Sequence, residues 1–123
     1  WPKEEIPFTR WNDGEEGLPT VYAMPASTDS VLTYDFYMGG DVPETVIDTG
    51  RKDLLSILIY GDSMTNAVEC VMYLSFDKMY SLDLRHYHDM SLTDYIKLVK
   101  PDVVVCIRDP EVLLLQEANG GAS

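Results

Sequence analysis

Residues 54–66, LLSILIYGDSMTN, carry the pattern that decides the fold. Residues 54–60 are almost continuously apolar, which is typical of a central strand buried on both faces of a parallel sheet. A Gly-Asp-Ser turn ending at Ser63 interrupts the run, and over residues 64–75 apolar side chains recur at helical spacing. The stretch therefore predicts a buried strand, a tight turn and a helix, with Ser63 presented at the turn.

The chain that follows continues to alternate strand and helix. Residues 78–84 (KMYSLDL) and 102–108 (DVVVCIR) have strand composition. Between them a helix is predicted to begin after Ser91, which forms a capping-box pattern with Asp94, and to end before Pro101. The order β-α-β-α-β predicts an α/β fold with a parallel sheet and right-handed crossovers.

The first 50 residues show a different pattern. Residues 1–20 hold three prolines and an acidic cluster, which predicts an irregular arm. Residues 31–38 (VLTYDFYM) and 45–47 are predicted to be two strands of a hairpin, separated by a Gly-Gly-Asp turn. We therefore divide the chain into an arm and β-hairpin region, 1–50, and an α/β region, 51–123.

Composition excludes several classes of function. The length of 123 residues suits one domain, and 46% hydrophobic residues are enough for a core. Nine basic residues against 21 acidic ones give a net charge of −12, which argues against nucleic-acid binding. No run of about 18 apolar residues exists, so no membrane span is predicted. Cys70 and Cys106 lack metal-ligand spacing and are predicted to be free and buried, and no metal or cofactor is predicted.

Polar clusters follow all three predicted strands of the α/β region. They occupy residues 61–63, 85–88 and 108–109. Because the carboxyl ends of parallel strands meet at one edge of a sheet, where ligands bind in open α/β folds, these clusters are expected to lie together. The sequence thus predicts a site at this edge.

Ser63 is the candidate nucleophile of that site. A helix N-terminus offers free N–H groups and a partial positive charge, which would stabilise an oxyanion. Asn66, one turn further, is a candidate side-chain donor, and Asp62 is expected to brace the turn through backbone N–H groups. The hydroxyl also needs a base. The alternative is that Ser63 simply caps the helix.

Arg85, His86 and His88 follow the second strand of this region. Arg85 either holds a substrate carboxylate or sugar oxygen, or braces the serine loop, or pairs with Asp62 or Asp109. His86 and His88 are candidate bases, although a solvent-facing loop position is the preferred interpretation for both. Asp62 is a poor metal ligand because no second ligand is predicted near it.

ILIYGDSMTNAV, which contains Ser63, resembles the Gly-Asp-Ser block of SGNH (GDSL-like) hydrolases. Together with residues 83–87 (DLRHY) and 100–104 (KPDVV), it resembles the DHHW-motif and alginate O-acetyltransferase-like group of that superfamily. The resemblance covers about residues 50–109 and implies a three-layer α/β/α, flavodoxin-like sheet with Ser63 as nucleophile. It also implies an upstream Asp-x-His or Asp-His-His-Trp motif, which this sequence lacks. The match of residues 83–86 to Asp-x-x-His is an internal alternative.

We therefore expect an SGNH-type serine esterase or O-acyltransferase acting on O-acetyl groups of carbohydrate. The chain begins with Trp1 and lacks the acid and base, so it is expected to be the C-terminal portion of the fold, with an incomplete sheet. On its own it is expected to be inactive or nearly so. Its expected partners are the missing N-terminal half or a partner chain, with a homo-oligomer as a further possibility. The resemblance also implies an extracellular or cell-envelope location.

Two other functions remain open from the sequence. One is a non-catalytic surface or carbohydrate-binding module that keeps the fold. The other is a flavodoxin-like regulatory domain. Such a domain would need a loop that binds a phosphate or nucleotide, and the Gly-Asp-Ser turn is too short a glycine signal for one.

Overall fold

The computed structural model describes residues 6–114. Trp1 lies outside this range. In chain order the elements are β1 (Thr9–Asn12), β2 (Glu15–Glu16), β3 (Glu44–Asp48), β4 (Ile57–Gly61), α1 (Thr65–Met72), β5 (Lys78–Asp83), α2 (Leu92–Val99), β6 (Val103–Ile107) and α3 (Pro110–Leu113). Short 3-10 helices cover Tyr34–Phe36 and Tyr73–Ser75. None of the described helices is long and apolar enough to cross a membrane.

One six-stranded sheet joins both parts of the chain, in the order β2-β1-β3-β5-β4-β6. The strands β5, β4 and β6 are parallel, as the sequence predicts, whereas β3, β1 and β2 add antiparallel neighbours at the β5 side. Gly61 at the end of β4 is in register with Asp83 of β5 and Ile107 of β6. The three carboxyl ends therefore meet at one edge, which is the expected place for a site.

Helices cover the two faces of this sheet, which confirms the three-layer α/β prediction. Ile57 and Ile59 of β4 face α1 and pack in a core with Tyr73. Leu58, between them, faces the other way and packs with Tyr95 of α2. A strand that is buried on both faces needs a continuous apolar run, which explains the apolar sequence of β4.

Helix α2 begins and ends as its sequence pattern predicts. The Ser91 hydroxyl accepts a hydrogen bond from the backbone N–H of Asp94 at 3.2 Å. Lys100, in the left-handed region with φ 48°, ends the helix and donates its N–H to the carbonyl of Ile96. Pro101 follows, where a helix could not continue.

The prediction of a strand at residues 31–38 is wrong. Val31 and Leu32 are exposed, and Tyr34–Phe36 form a 3-10 helix. Within residues 6–114 the one bridge of this segment is an isolated one between Tyr37 and Tyr22. Met38 and the two glycines after it have positive φ, which ends any extended conformation. The apolar alternation of this segment instead reflects the burial of Phe36 and Met38 by a coiled loop.

The hairpin of the N-terminal region lies earlier, between β1 and β2. Asp13 and Gly14 form its turn with φ 50° and φ 78°, the left-handed pair that a two-residue hairpin turn requires. The Asp-Gly pair is a sequence signal for this turn that the irregular-arm interpretation of residues 1–20 overlooked. The other predicted strand, at residues 45–47, is confirmed within β3.

Strand β6 is an edge of the sheet within the described chain, since it pairs only with β4. Its residues Val103 and Val105 pack against the α1-side core, but Val104 on the other face is 43% exposed. Cys106 is exposed too, so its predicted burial is wrong, whereas Cys70 is buried. The apolar sequence of a central parallel strand is thus combined with an uncovered edge and face.

We expect purified chain to self-associate through the β6 edge, with a second copy as partner. This strand has no charged residue, and unpaired N–H and C=O groups on an apolar edge favour strand addition. Val104→Lys should shift the chain toward monomer in sedimentation velocity. Leu32→Lys, which places a lysine on an exposed loop residue, should not. A wild-type chain that stays monomeric across the concentration range would contradict the expectation.

Gly61 permits β4 and β6 to meet at the site edge. A Cβ placed at Gly61 would overlap the backbone carbonyl of Ile107, and backbone atoms cannot move aside as a flexible side chain can. The glycine of the Gly-Asp-Ser turn is therefore required by close packing between strands rather than by its φ.

Gly61→Ala should lower the free energy of unfolding by about 3 kcal/mol or prevent folding, because relief of the overlap has to separate two paired strands. Urea unfolding measures this change. Gly17→Ala is the matched control, since the atoms that its Cβ would meet belong to side chains, that of Asn12 at 3.1 Å and that of Arg10 at 3.8 Å. Equal effects of the two variants would contradict the steric explanation.

Candidate functional site

Ser63 lies between β4 and α1 at the carboxyl edge of the sheet, partly buried. Within residues 6–114 neither its hydroxyl nor its backbone N–H donates a hydrogen bond, and its carbonyl accepts from Asn66 N–H at 3.2 Å. The N-cap position of α1 is Met64, and no side chain caps it. Ser63 therefore does not cap the helix, and its hydroxyl is unengaged at the helix N-terminus.

The buried carboxylate of Asp62 braces the turn that carries Ser63. Its Oδ1 accepts the Met64 N–H at 2.9 Å, and its Oδ2 accepts the Asp109 N–H at 2.8 Å. The second bond ties the turn to the loop that follows β6. Both carboxylate oxygens are used by backbone donors, so Asp62 acts on the backbone of the site.

Arg85 binds two carboxylates beside the turn. Its guanidinium donates to both oxygens of Asp83, at 3.0 and 2.6 Å, and to Asp41 Oδ2 at 2.8 Å. These hydrogen bonds, chiefly those to Asp83, raise the pKa of Arg85 above its usual value. The predicted partners Asp62 and Asp109 are not the ones that it binds.

Asp41 joins the arginine to the helix that follows Ser63. Its Oδ1 accepts from the side-chain amide of Asn66 at 3.3 Å, and the same amide donates to Gly40 O at 3.3 Å. The Asn66 amide thus already has two acceptors, both in the loop before β3. The sequence does not identify Asp41 as a site residue, because a Gly-Gly-Asp segment carries only the signal of a turn.

The two histidines lie on the exposed loop after β5. A nitrogen of His86 lies within 4.8 Å of carboxylate oxygens of Asp41 and Asp83, but Arg85 already binds both carboxylates. His88 lines an open depression of about 240 Å³ with His86. Neither histidine hydrogen-bonds to Ser63 in the described part of the chain, so a base for the serine is not assembled there.

Asp41, Asp83 and His86 are the described side chains whose ligand atoms come close enough for a metal ion. The Arg85 guanidinium lies between the two carboxylates and supplies the positive charge that a metal would bring. A cation entering there would have to displace the arginine. The cluster therefore fits an ion-pair network that fixes the loops better than it fits a metal centre.

A layer of buried polar side chains lies under α1, next to the site. Its centre is Glu69, whose Oε1 accepts from Thr65 Oγ1 and from Ser81 Oγ, each at 2.5 Å. Burial raises the pKa of Glu69, and the hydroxyl donors and the charge of Arg10 oppose that shift. Among residues 6–114 the buried polar residues are Arg10, Thr45, Asp62, Thr65, Asn66, Glu69, Ser81 and Asp83.

Arg10 of β1 also belongs to this buried polar layer. Its guanidinium donates to Asn12 Oδ1 at 2.9 Å and to the carbonyls of Thr20 and Met38 at 2.8 and 2.5 Å. Burial lowers its pKa, and the negative charge of Glu69 opposes that shift. Neither Arg10 nor Glu69 was identified from the sequence. Each is the one charged residue of its element, and the partners that are distant in the chain, Thr20 and Met38 for Arg10 and Ser81 for Glu69, are brought close only by the fold.

The arrangement has a clear chemical capacity. An unengaged hydroxyl stands at the start of a helix, where the Ser63 N–H and the helix N-terminus can stabilise negative charge on an oxygen. The turn is held on one side by Asp62 and on the other by the buried layer around Glu69. The described residues thus present a hydroxyl and a backbone N–H together at the head of α1.

Asp62→Asn should lower the free energy of unfolding by about 1–3 kcal/mol, because an amide nitrogen cannot accept one of the two backbone N–H bonds. Hydrogen exchange should quicken at the amide of Met64 or Asp109, whichever loses its acceptor. Asp89→Asn is the charge-matched control, since Asp89 is exposed. Unchanged protection at both amides would contradict the bracing role.

Comparison with known proteins finds relatives in structure only. No protein-family model and no curated protein matches the chain. A DHHW family protein from Eubacterium siraeum DSM 15702 has 25% sequence identity and a TM-score of 0.71, over 93% of this chain and 38% of that chain. PatB1 from Bacillus cereus has 24% identity and a TM-score of 0.73, over 93% of this chain and 38% of that chain.

PatB1 with a sulfonyl adduct gives a TM-score of 0.75 at 24% identity, over 97% of this chain and 43% of that chain. The chain thus spans about two fifths of the solved structures that it matches. The match covers nearly the whole chain, so the likeness extends to the antiparallel strands as well as to the α/β part. At this identity it establishes the fold, with a DHHW family protein and PatB1 among those that share it.

Proposed function

We propose that Ser63 is the nucleophile of an SGNH-type acyl-transfer site, in an esterase or O-acyltransferase that acts on O-acetyl groups of carbohydrate. The observation that carries the proposal is the Ser63 hydroxyl at the head of α1, which has no hydrogen-bond partner within residues 6–114 and lies on a turn braced by Asp62. The fold shared with PatB1 and a DHHW family protein supports a coarse acyltransferase-like relationship. The proposed carbohydrate substrate and an extracellular or cell-envelope location rest on the sequence resemblance.

The proposed reaction has two halves. Ser63 Oγ forms a bond to the ester carbonyl carbon while its proton passes to a base, and the carbonyl oxygen takes the negative charge near the Ser63 N–H. The tetrahedral intermediate then breaks the bond to the leaving alcohol, which takes up the proton. A sugar hydroxyl or water attacks the acyl-serine in the same way and restores the hydroxyl.

The base of this reaction is proposed to come from protein outside residues 6–114. His86 and His88 are exposed and have no hydrogen bond to Ser63, and Asp83 is already bound to Arg85. The solved neighbours are more than twice as long as the matched region, so they have room for further site residues. The 123-residue chain alone should therefore hydrolyse esters slowly.

Arg85 and Asn66 have supporting roles in the proposal. Arg85 holds Asp41, and Asp41 receives the Asn66 amide, so the first turn of α1 is linked to the end of β5. On binding of a substrate, the partly exposed guanidinium would still have N–H donors for a sugar oxygen.

Sulfonyl fluorides test the nucleophile directly, because a serine that attacks sulfur keeps the sulfonyl group and can be found by mass spectrometry. Wild-type chain should carry the adduct on Ser63, slowly, and hydrolyse an acetyl ester above background. Ser63→Ala should lose both. Ser30→Ala, at an exposed loop serine, is the matched control and should keep both.

Activity that survives Ser63→Ala would sink the nucleophile assignment. A wild-type chain with no adduct and no hydrolysis, even when a longer protein containing it is assayed, would favour the non-catalytic carbohydrate-binding module. The observation that supports this second function is the absence of a histidine bonded to Ser63 within residues 6–114.

A further inference from the structure

Glu69 is a buried carboxyl group that the proposed reaction does not use. It is 3% exposed and lies on the inner face of α1, four residues after Thr65. Burial of a carboxyl group in a small core is costly unless its oxygens are hydrogen-bonded. A leucine there would pack without that cost, but it could not accept the two hydroxyl donors that face this position.

The contacts of Glu69 fasten the start of α1 to the middle of the sheet. Its Oε1 accepts Thr65 Oγ1 from the first turn of the helix and Ser81 Oγ from β5, each at 2.5 Å. Ser81 lies two residues before Asp83, on a strand paired with both β3 and β4. One oxygen atom thus bridges the helix start and the strand whose end carries Asp83 and Arg85.

This bridge lies directly behind the serine turn. Thr65 is two residues after Ser63, and its N–H is bonded to the carbonyl of Asp62 at 3.0 Å. In the described part of the chain no side chain caps the N-terminus of α1, so the turn depends on contacts from outside the helix. Asp62 supplies one such contact, toward the loop after β6, and the Thr65–Glu69–Ser81 bridge supplies the opposite one, toward β5.

We propose that Glu69 is a positioning residue for Ser63: its oxygen holds Thr65 against Ser81, and so fixes the direction of the Ser63 hydroxyl and N–H. The role for catalysis rests on the proposed function of Ser63. Glu69 acts through an acceptor oxygen and not through contact with substrate. Its effect on the turn is therefore open to a test that needs no catalysis.

Two variants separate the acceptor oxygen from the rest of the side chain. Glu69→Gln keeps a carbonyl oxygen that can accept both hydroxyls, whereas Glu69→Leu keeps the approximate volume and removes the acceptor. Glu16→Gln, at an exposed residue of β2, controls for loss of charge. Hydrogen exchange is followed at the amides of Thr65 and Asn66, and at Leu58 of β4 as the measure of global opening.

Glu69→Leu should speed exchange at Thr65 and Asn66 by about tenfold relative to Leu58, because two hydroxyls lose their partner. Glu69→Gln should restore slow exchange to within about threefold. The rate of sulfonyl labelling at Ser63 should follow the same order, with Glu69→Leu slowest. Exchange at the turn that changes only in step with Leu58 would overturn the proposal, as would Glu69→Gln behaving like Glu69→Leu.

The outcomes also distinguish this proposal from the function of Ser63. If Glu69→Leu loosens the turn while Ser63→Ala has no effect on labelling or hydrolysis, the nucleophile assignment fails and the bridge is structural. If Ser63→Ala abolishes labelling while Glu69→Leu leaves exchange and labelling unchanged, the nucleophile stands and the positioning role fails.

The pH dependence of stability gives a further readout. Burial raises the pKa of Glu69, with Arg10 from β1 and Asp83 from β5 as the charged groups that face it. A raised carboxyl pKa means that the folded state favours the protonated form of Glu69. The free energy of unfolding is therefore highest below the ordinary pKa of a glutamate, and it falls as the pH rises through the raised pKa of the folded state. Wild type should lose stability relative to Glu69→Gln over that window, in urea unfolding at several pH values. A difference that does not vary with pH would contradict the raised pKa.

Discussion

The close approach of β4 and β6 at Gly61 is the constraint on which the rest of the site depends. Because Gly61 has no side chain, the carbonyl of Ile107 can lie against its Cα. This contact brings the loop after β6 close enough for Asp109 to donate its N–H to Asp62. The contact between Gly61 and Ile107 therefore places the Asp109 N–H where it can donate to the Asp62 carboxylate.

A layer of polar contacts extends this constraint from the edge of the sheet to its interior. Glu69 bridges Thr65 and Ser81 under the first turn of α1, and Arg85 joins Asp83 to Asp41 beside it. Such groups are costly to bury, but a satisfied network specifies one arrangement where apolar packing would tolerate several. This explains how a turn without a side-chain cap is held in place.

The sequence predicted local features well and long-range ones poorly. The β4 run, the Ser91 cap and the position of β3 followed from patterns within a few residues. The prediction of a strand at residues 31–38 was wrong, because the apolar alternation there arises from a loop in which Phe36 and Met38 are buried. The prediction that Cys106 is buried was wrong, because local composition does not distinguish a central strand from an edge strand. In the site, the sequence did not identify Asp41 or Glu69. Asp41 binds Arg85, 44 residues away, and Glu69 binds Ser81, 12 residues away, and no local pattern connects such positions.

The sequence by itself determined the strand–turn–helix around Ser63 and the alternation of strands and helices that gives the parallel core. These features are local, since hydrophobic period, turn residues and caps act over a few residues. Only the tertiary structure decided what surrounds the serine: the Asp109 donor for Asp62, the Asp41 link between Arg85 and Asn66, and the Glu69 bridge. Those contacts join residues distant in the chain, and their geometry depends on how strands and helices pack.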